Sequence, residues 1–157
     1  MPTNAVQADT VAFEPVRIEL KPDDATLKDM RVIEIKAAGG KVLEPSGGRR
    51  GTAIWEFMVP RASEYAIWGL STHKENQSSI FDLVLDEQAL ITWRVYGQWD
   101  KWLWFPAGNM ITGSPQLFTL TAGENTLRVH IKTPTSSLAK IVITDDPTWW
   151  PVEGMRK

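Results

Sequence analysis

From residue 52 onward, apolar and polar positions alternate with the period of two that marks half-buried strands. "TAIWEFMV" (52–59) sets Trp55, Phe57 and Val59 on one face, "PRASE" turns the chain, and "YAIWGL" (65–70) follows. "IFDLVLD" (80–86) places Phe81, Leu83 and Leu85 opposite Asp82 and Asp86. "TLRVHIK" (126–132) sends Leu127, Val129 and Ile131 inward and Arg128, His130 and Lys132 outward. "AKIVITD" (139–145) predicts a last strand ended by "DDP". Helix signals are scarce. "DDATLKDMRVIEIKAAG" opens on Asp caps, but Val32, Ile33 and Ile35 favour a strand by its middle. Short strands at near-regular spacing, separated by Gly, Pro, Asn and Asp, predict an all-β fold: a single-domain antiparallel, jelly-roll-like β-sandwich. It is expected over 15–157, after a polar lead-in at 1–14.

Antiparallel strands send successive loops to opposite ends. "PRASE", "DEQ" and "AGEN" therefore share one end as tight turns. "PSGGRRG" (45–51), "STHKENQSS" (71–79), "RVYGQWDKW" (94–102) and "TPTSS" (133–137) share the other. That second end is longer and richer in Gly, charge and aromatics, which makes it the expected binding end.

Composition narrows the field. The 157 residues are 43% hydrophobic and 23% charged, the balance of an ordinary globular domain with one sizeable core. The formal net charge of −2 does not suggest nucleic-acid binding, and no stretch is long and apolar enough to span a membrane. Without cysteine there are no disulfides, thiolate metal sites or Cys nucleophile. "MPTNAVQADT" has no apolar core of a signal peptide.

Several segments together resemble the β-sandwich carbohydrate-binding modules of families 6 and 35. "TAIWEFMVPRASEYAIWGL" is similar to their strand, "vP-x-aG-x-Y", strand. "NQSSIFDLVLDE" resembles an Asn-Ser, strand, Asp-Gly pattern, and "WDKWLW" a W-x-W strand entry. "LTAGENTLRVHIK" with "SSLAKIVITDD" resembles the closing hairpin and final strand, and "IEL" at 18–20 a first-strand "IEAE". The resemblance covers roughly 52–146. It implies a non-catalytic domain that holds a polysaccharide or oligosaccharide, joined to a catalytic domain in the same parent chain, secreted or at the cell surface. There are departures: Ser63 replaces the turn glycine, Lys21 the second first-strand Glu, and Ala139 the final-strand Asp. Relatives often hold a structural calcium near these positions. A Lys and an Ala supply no oxygen ligands, so no metal or other cofactor is expected.

Eight tryptophans raise the question of core or platform. Trp55, Trp68 and Trp93 read as core from their strand positions. Trp102 and Trp104, two apart, share a face and read as buried scaffold. Trp149 and Trp150 in "TWWP" either cover a sheet edge or form a second platform, covering being favoured. Trp99 lies among Gly97, Gln98, Asp100 and Lys101 with no apolar companions, and Tyr96 points away from the Ile91–Trp93–Val95 face. For this pair, a ligand-facing role and packing on the sandwich end both stand.

A pyranose face stacked on such a ring covers about 50 Å² of apolar surface, worth on the order of 1 kcal/mol. Hydrogen bonds must supply the rest, and Asn76, His73, Gln98 and Ser136 fall at the same end. Arg49, Arg50, Lys74, Arg94 and Lys101 share it with Glu44, Glu75 and Asp100. Arg forks match carboxylate or sulfate oxygens, so an acidic glycan is favoured over a neutral one, against the plainer reading of a solvated charged rim. The expected contacts are Trp99, Tyr96, Arg49, Arg50, Lys101, Asn76 and His73.

Signs of catalysis are few. Only His73 and His130 are histidines, and "SLAK" (137–140) fits S-x-x-K without its partner motifs. A small lyase or hydrolase and a sugar-blind accessory domain remain the alternatives.

Overall fold

The computed structural model describes residues 14–46, 50–73, 79–88, 90–95, 102–108, 115–131, 136–149 and 151. Among the described residues twelve strands form: β1 (Arg17–Leu20), β2 (Thr26–Lys28), β3 (Met30–Ile35), β4 (Gly40–Pro45), β5 (Gly51–Val59) and β6 (Ser63–His73), then β7 (Ser79–Leu85), β8 (Ile91–Val95), β9 (Leu103–Pro106), β10 (Leu117–Leu120), β11 (Gly123–Ile131) and β12 (Ser136–Thr144). The helix-like stretch after Lys21 becomes two short strands between 3-10 turns at 22–24 and 36–38. Its β-branched middle outweighs the acidic start.

One sheet runs β2-β5-β11-β7-β8. The other is built around β6 and β12, which pair with each other. Along the free edge of β6, β9 takes residues 68–71 and β10 residues 63–66. Along the free edge of β12, β1 takes 141–144 and β4 meets Leu138. Every pairing in both sheets is antiparallel.

The alternation predicted from the sequence sets the core. Trp55, Phe57 and Val59 meet Phe81, Leu83 and Leu85 and Leu127, Val129 and Ile131 on the inner face of the five-stranded sheet. Tyr65, Ile67, Leu138, Ile141 and Ile143 face them from the other sheet. Trp93 is fully buried and packs its ring against Phe81 at a 5.4 Å centroid separation. Its six-membered ring lies over Gly69, where a Cβ would come within 2.3 Å. Only glycine admits the ring there.

Three devices close the end of the sandwich that carries 60–62, 86–88 and 121–122. Tyr65 donates its hydroxyl to the Arg61 carbonyl at 2.7 Å, tying β6 back to the preceding turn. Asp86 adopts φ 51 and accepts the Thr126 N–H on its carboxylate at 2.8 Å, so it caps β7 rather than extending it. Asp145, its side chain fully buried, accepts the Val16 N–H at 2.7 Å and Arg61 Nε at 2.9 Å.

Candidate functional site

The registers fix where the long segments emerge. Gly51 lies opposite Ile131, and Ile131 opposite Phe81. Ser79 lies opposite Val95, and His73 opposite Ser136. The chain therefore leaves β4, β6, β8 and β11, and enters β5, β7, β9 and β12, at one end of the sandwich, as strand direction predicted. The chain is held just after β4. Ser46 N–H donates to the Asp29 carbonyl at 2.8 Å, and Asp29 holds φ 57 between β2 and β3. A Cβ at Gly51 would meet Met30 Cγ at 2.2 Å and the Asp29 carbonyl at 2.8 Å, so β5 can start there only on a glycine.

Of the residues expected to contact a ligand, Arg50 is described: it is exposed, one residue before β5. His73 is the last residue of β6, its backbone paired with Ser136 on the opposite sheet from Arg50. Trp99, Tyr96, Arg49, Lys101 and Asn76 lie outside the described residues. One charge assigned to this rim moves. Glu44 is buried in β4 and takes Arg31 Nε at 2.9 Å, so it belongs to a cross-strand ion pair with the neighbouring strand.

A second aromatic surface lies on the outer face of the β6–β12 sheet. Trp68 is buried but points away from Tyr65 and Ile67, so it is not part of the inter-sheet core that sequence position suggested. What covers it is Trp149. The segment after β12 is bent by Asp146, whose carboxylate accepts the Thr148 N–H at 2.9 Å and hydroxyl at 2.7 Å. That turn lays Trp149 edge-on against Trp68 (6.3 Å, 82°) and against Trp104 (6.5 Å, 84°). Arg17 on β1 places its guanidinium carbon 5.1 Å from the Trp149 ring centre. Trp149 thus covers a sheet face rather than an edge. Trp102 and Trp104 are half-buried on or beside β9, not fully buried scaffold. Beside Trp149 lies a hollow of about 420 Å³, lined by Glu64, Ala66, Trp68, Leu117, Asp146 and Trp149. Sequence parity within β6 gave a signal for Trp68 facing outward; the cation–π contact of Arg17 had none.

His130 is satisfied structurally: its Nδ1 lies 2.8 Å from the Thr52 hydroxyl on the outer face of the five-stranded sheet. Among the described residues no three His, Cys, Asp or Glu side chains group in a way that suits a metal ion, and no helix is long and apolar enough to cross a membrane.

No family model matches the sequence, and no curated protein does. Solved structures do. The C-terminal family 6 module of a marine laminarinase from Zobellia galactanivorans superposes with a TM-score of 0.64 at 13% identity, over 82% of this chain and 99% of that one. The fold is that of the family 6 and family 35 carbohydrate-binding modules. A family 6 module from Cellvibrio mixtus lichenase 5A, solved with cellotriose, gives 0.57 at 14% identity over 80% of this chain and 95% of that one. A Podospora anserina β-(1,4)-mannanase that carries a family 35 module gives 0.65 at 17% identity. This chain covers 87% of itself but 29% of that enzyme, so the likeness is to one part of it.

Proposed function

We propose that this domain is a non-catalytic carbohydrate-binding module that holds a polysaccharide for an associated degrading enzyme. What supports the reading is that the ends of β4, β6, β8 and β11 and the starts of β5, β7, β9 and β12 meet at one end of a fold shared with sugar-binding modules. On this reading Trp99 and Tyr96 stack a sugar ring, and Asn76 and His73 bind hydroxyls. Arg49, Arg50 and Lys101 meet acidic groups, so a uronate-containing or sulfated glycan is favoured. Mechanism is concentration: a reversible hold on the polymer raises the local substrate concentration of the enzyme. One small contact of this kind gives affinities of about −4 to −8 kcal/mol. The setting is a secreted or cell-surface protein.

Affinity electrophoresis through gels carrying neutral or acidic polysaccharides, at low and high salt, tests this directly. Retardation by an acidic polymer that fades with salt is expected, and Trp99→Ala should abolish it with the thermal midpoint nearly unchanged. Absence of retardation by every polymer would refute the reading.

The sheet face favours a second reading. Trp104 and Trp149 remain partly exposed on this face, and Leu117, which shares the hollow with Trp149, is 50% exposed. An accessory domain that packs this face on a catalytic neighbour would account for them. Self-association of the isolated domain, reversed by Leu117→Glu and indifferent to sugars, would favour that alternative.

A further inference from the structure

Positions 19 and 21 meet position 139, far from them in sequence, in one place. β1 ends and β4 begins where both lie along β12, and a cavity of about 300 Å³ opens at that junction. Glu19, Lys21, Asp23, Lys41, Ala139 and Lys140 line it. Here β12 carries an irregularity: Leu138 pairs with Ser71 and Lys140 with Leu70, so Ala139 is the extra residue. These are the positions at which the resemblance to families 6 and 35 implies a calcium.

The donor set does not suit one. A hard divalent cation takes six to eight oxygens, mostly carboxylate and carbonyl. The cavity offers two carboxylates, and both are engaged. Glu19 has Lys21 Nζ 3.7 Å from Oε1 and Lys140 Nζ 3.7 Å from Oε2. Asp23 accepts Lys41 Nζ at 2.6 Å. The Lys21 carbonyl accepts the Trp55 indole N–H at 2.8 Å. Three ammonium groups around two carboxylates repel a further cation.

We propose that the ammonium groups of Lys21 and Lys140 stand in for a divalent cation at this junction, bridging β1 to β12 through Glu19, so that the sandwich is completed there without metal. The irregularity at Ala139 belongs to the same arrangement: it leaves a methyl group where a ligand oxygen would be required and brings Lys140 to Glu19.

Terbium luminescence reads the site directly, because Trp55, hydrogen-bonded to Lys21, is a sensitiser within reach. The wild-type domain is expected to give no saturable sensitised emission, and the same thermal midpoint in excess chelator and in millimolar calcium. Lys21→Glu/Ala139→Asp, which adds two carboxylates beside Glu19, is expected to gain saturable emission that calcium displaces, and a midpoint that calcium raises by several degrees. Saturable wild-type emission that calcium displaces and Glu19→Gln removes would overturn the proposal, as would a folded double variant that stays silent to terbium. Should the double variant fail to fold, Lys21→Glu alone is read by the same two criteria.

Discussion

At the residue scale, the most consequential side chain is one the sequence did not single out. Asp145 follows the last strand as part of "DDP", where a carboxylate reads as a turn-former. Its side chain is instead fully buried, and it holds both the Val16 amide and Arg61. Removing it leaves the Val16 amide without its acceptor and takes the carboxylate from Arg61, which keeps the Glu14 carbonyl. Asp145→Ala should cost about 2–3 kcal/mol in chemical denaturation, less than a fully enclosed pair because Arg61 still reaches water. Tyr65 gives a pH-dependent counterpart. Burial, followed by the nearby Asp145 charge, raises its phenol above the ordinary value of 10.0, with Arg61 opposing. A group whose pKa is raised on folding contributes stability that is full below its unfolded pKa and is lost as pH climbs through the folded one. Stability should therefore fall from about pH 10 upward, and Tyr65→Phe should flatten that decline at the cost of about 1 kcal/mol for the lost hydrogen bond. Of the expected ligand contacts, Arg50 and His73 sit at the anticipated end. The other five lie outside the described residues, in stretches whose sequence carries no strand periodicity.

At the element scale, alternation within a strand was legible and its environment was not. β5, β7 and β11 bury the residues that their period of two selects, because each is an interior strand of the five-stranded sheet with one face on the core. β6 shows the limit. Tyr65 and Ile67 face the core and Trp68 faces out, as parity requires, yet Trp68 is 1% exposed. Its cover comes from Trp149, some eighty positions later, and no local pattern encodes that meeting. Glycines carry similar non-local information. Gly69 lies in β6 only because the Trp93 ring from the other sheet presses on it. Gly69→Ala should overpack that contact and destabilise the domain by about 1–3 kcal/mol, seen as a lower urea midpoint. Ala in place of Gly123, where φ is 108 and nothing stands within 4 Å, would be strained by backbone conformation alone.

For the whole molecule, strand direction gave the architecture and its polarity: a sandwich, with the strand ends that flank the long segments at one end and the turns at 60–62, 86–88 and 121–122 at the other. How the two sheets divide the strands was not readable, since β5 and β6 are consecutive yet belong to different sheets. The polarity carries an expectation. Val16 and Asp145 lie together at the tight-turn end, opposite the proposed sugar contacts. Fusing a bulky protein before residue 14 or after residue 151 should leave polysaccharide retardation unchanged, whereas insertion within 74–78 should remove it. Gel mobility of three such fusions compares them directly.

The Val16–Asp145 clasp has a mechanical side. β1 and β12 run antiparallel, with Arg17 opposite Thr144 at the end where the clasp sits. Tension applied between the two termini must first lift Trp149 from the sheet face; it then falls on the clasp and peels β1 from β12 one hydrogen bond at a time, because those bonds lie along the pulling direction. Tension applied between the loop end and either terminus instead loads the long central strands lengthwise, so many bonds share the force. A domain held by its loops on a fibre and dragged by a tether would resist far more strongly than the same domain stretched between its own ends.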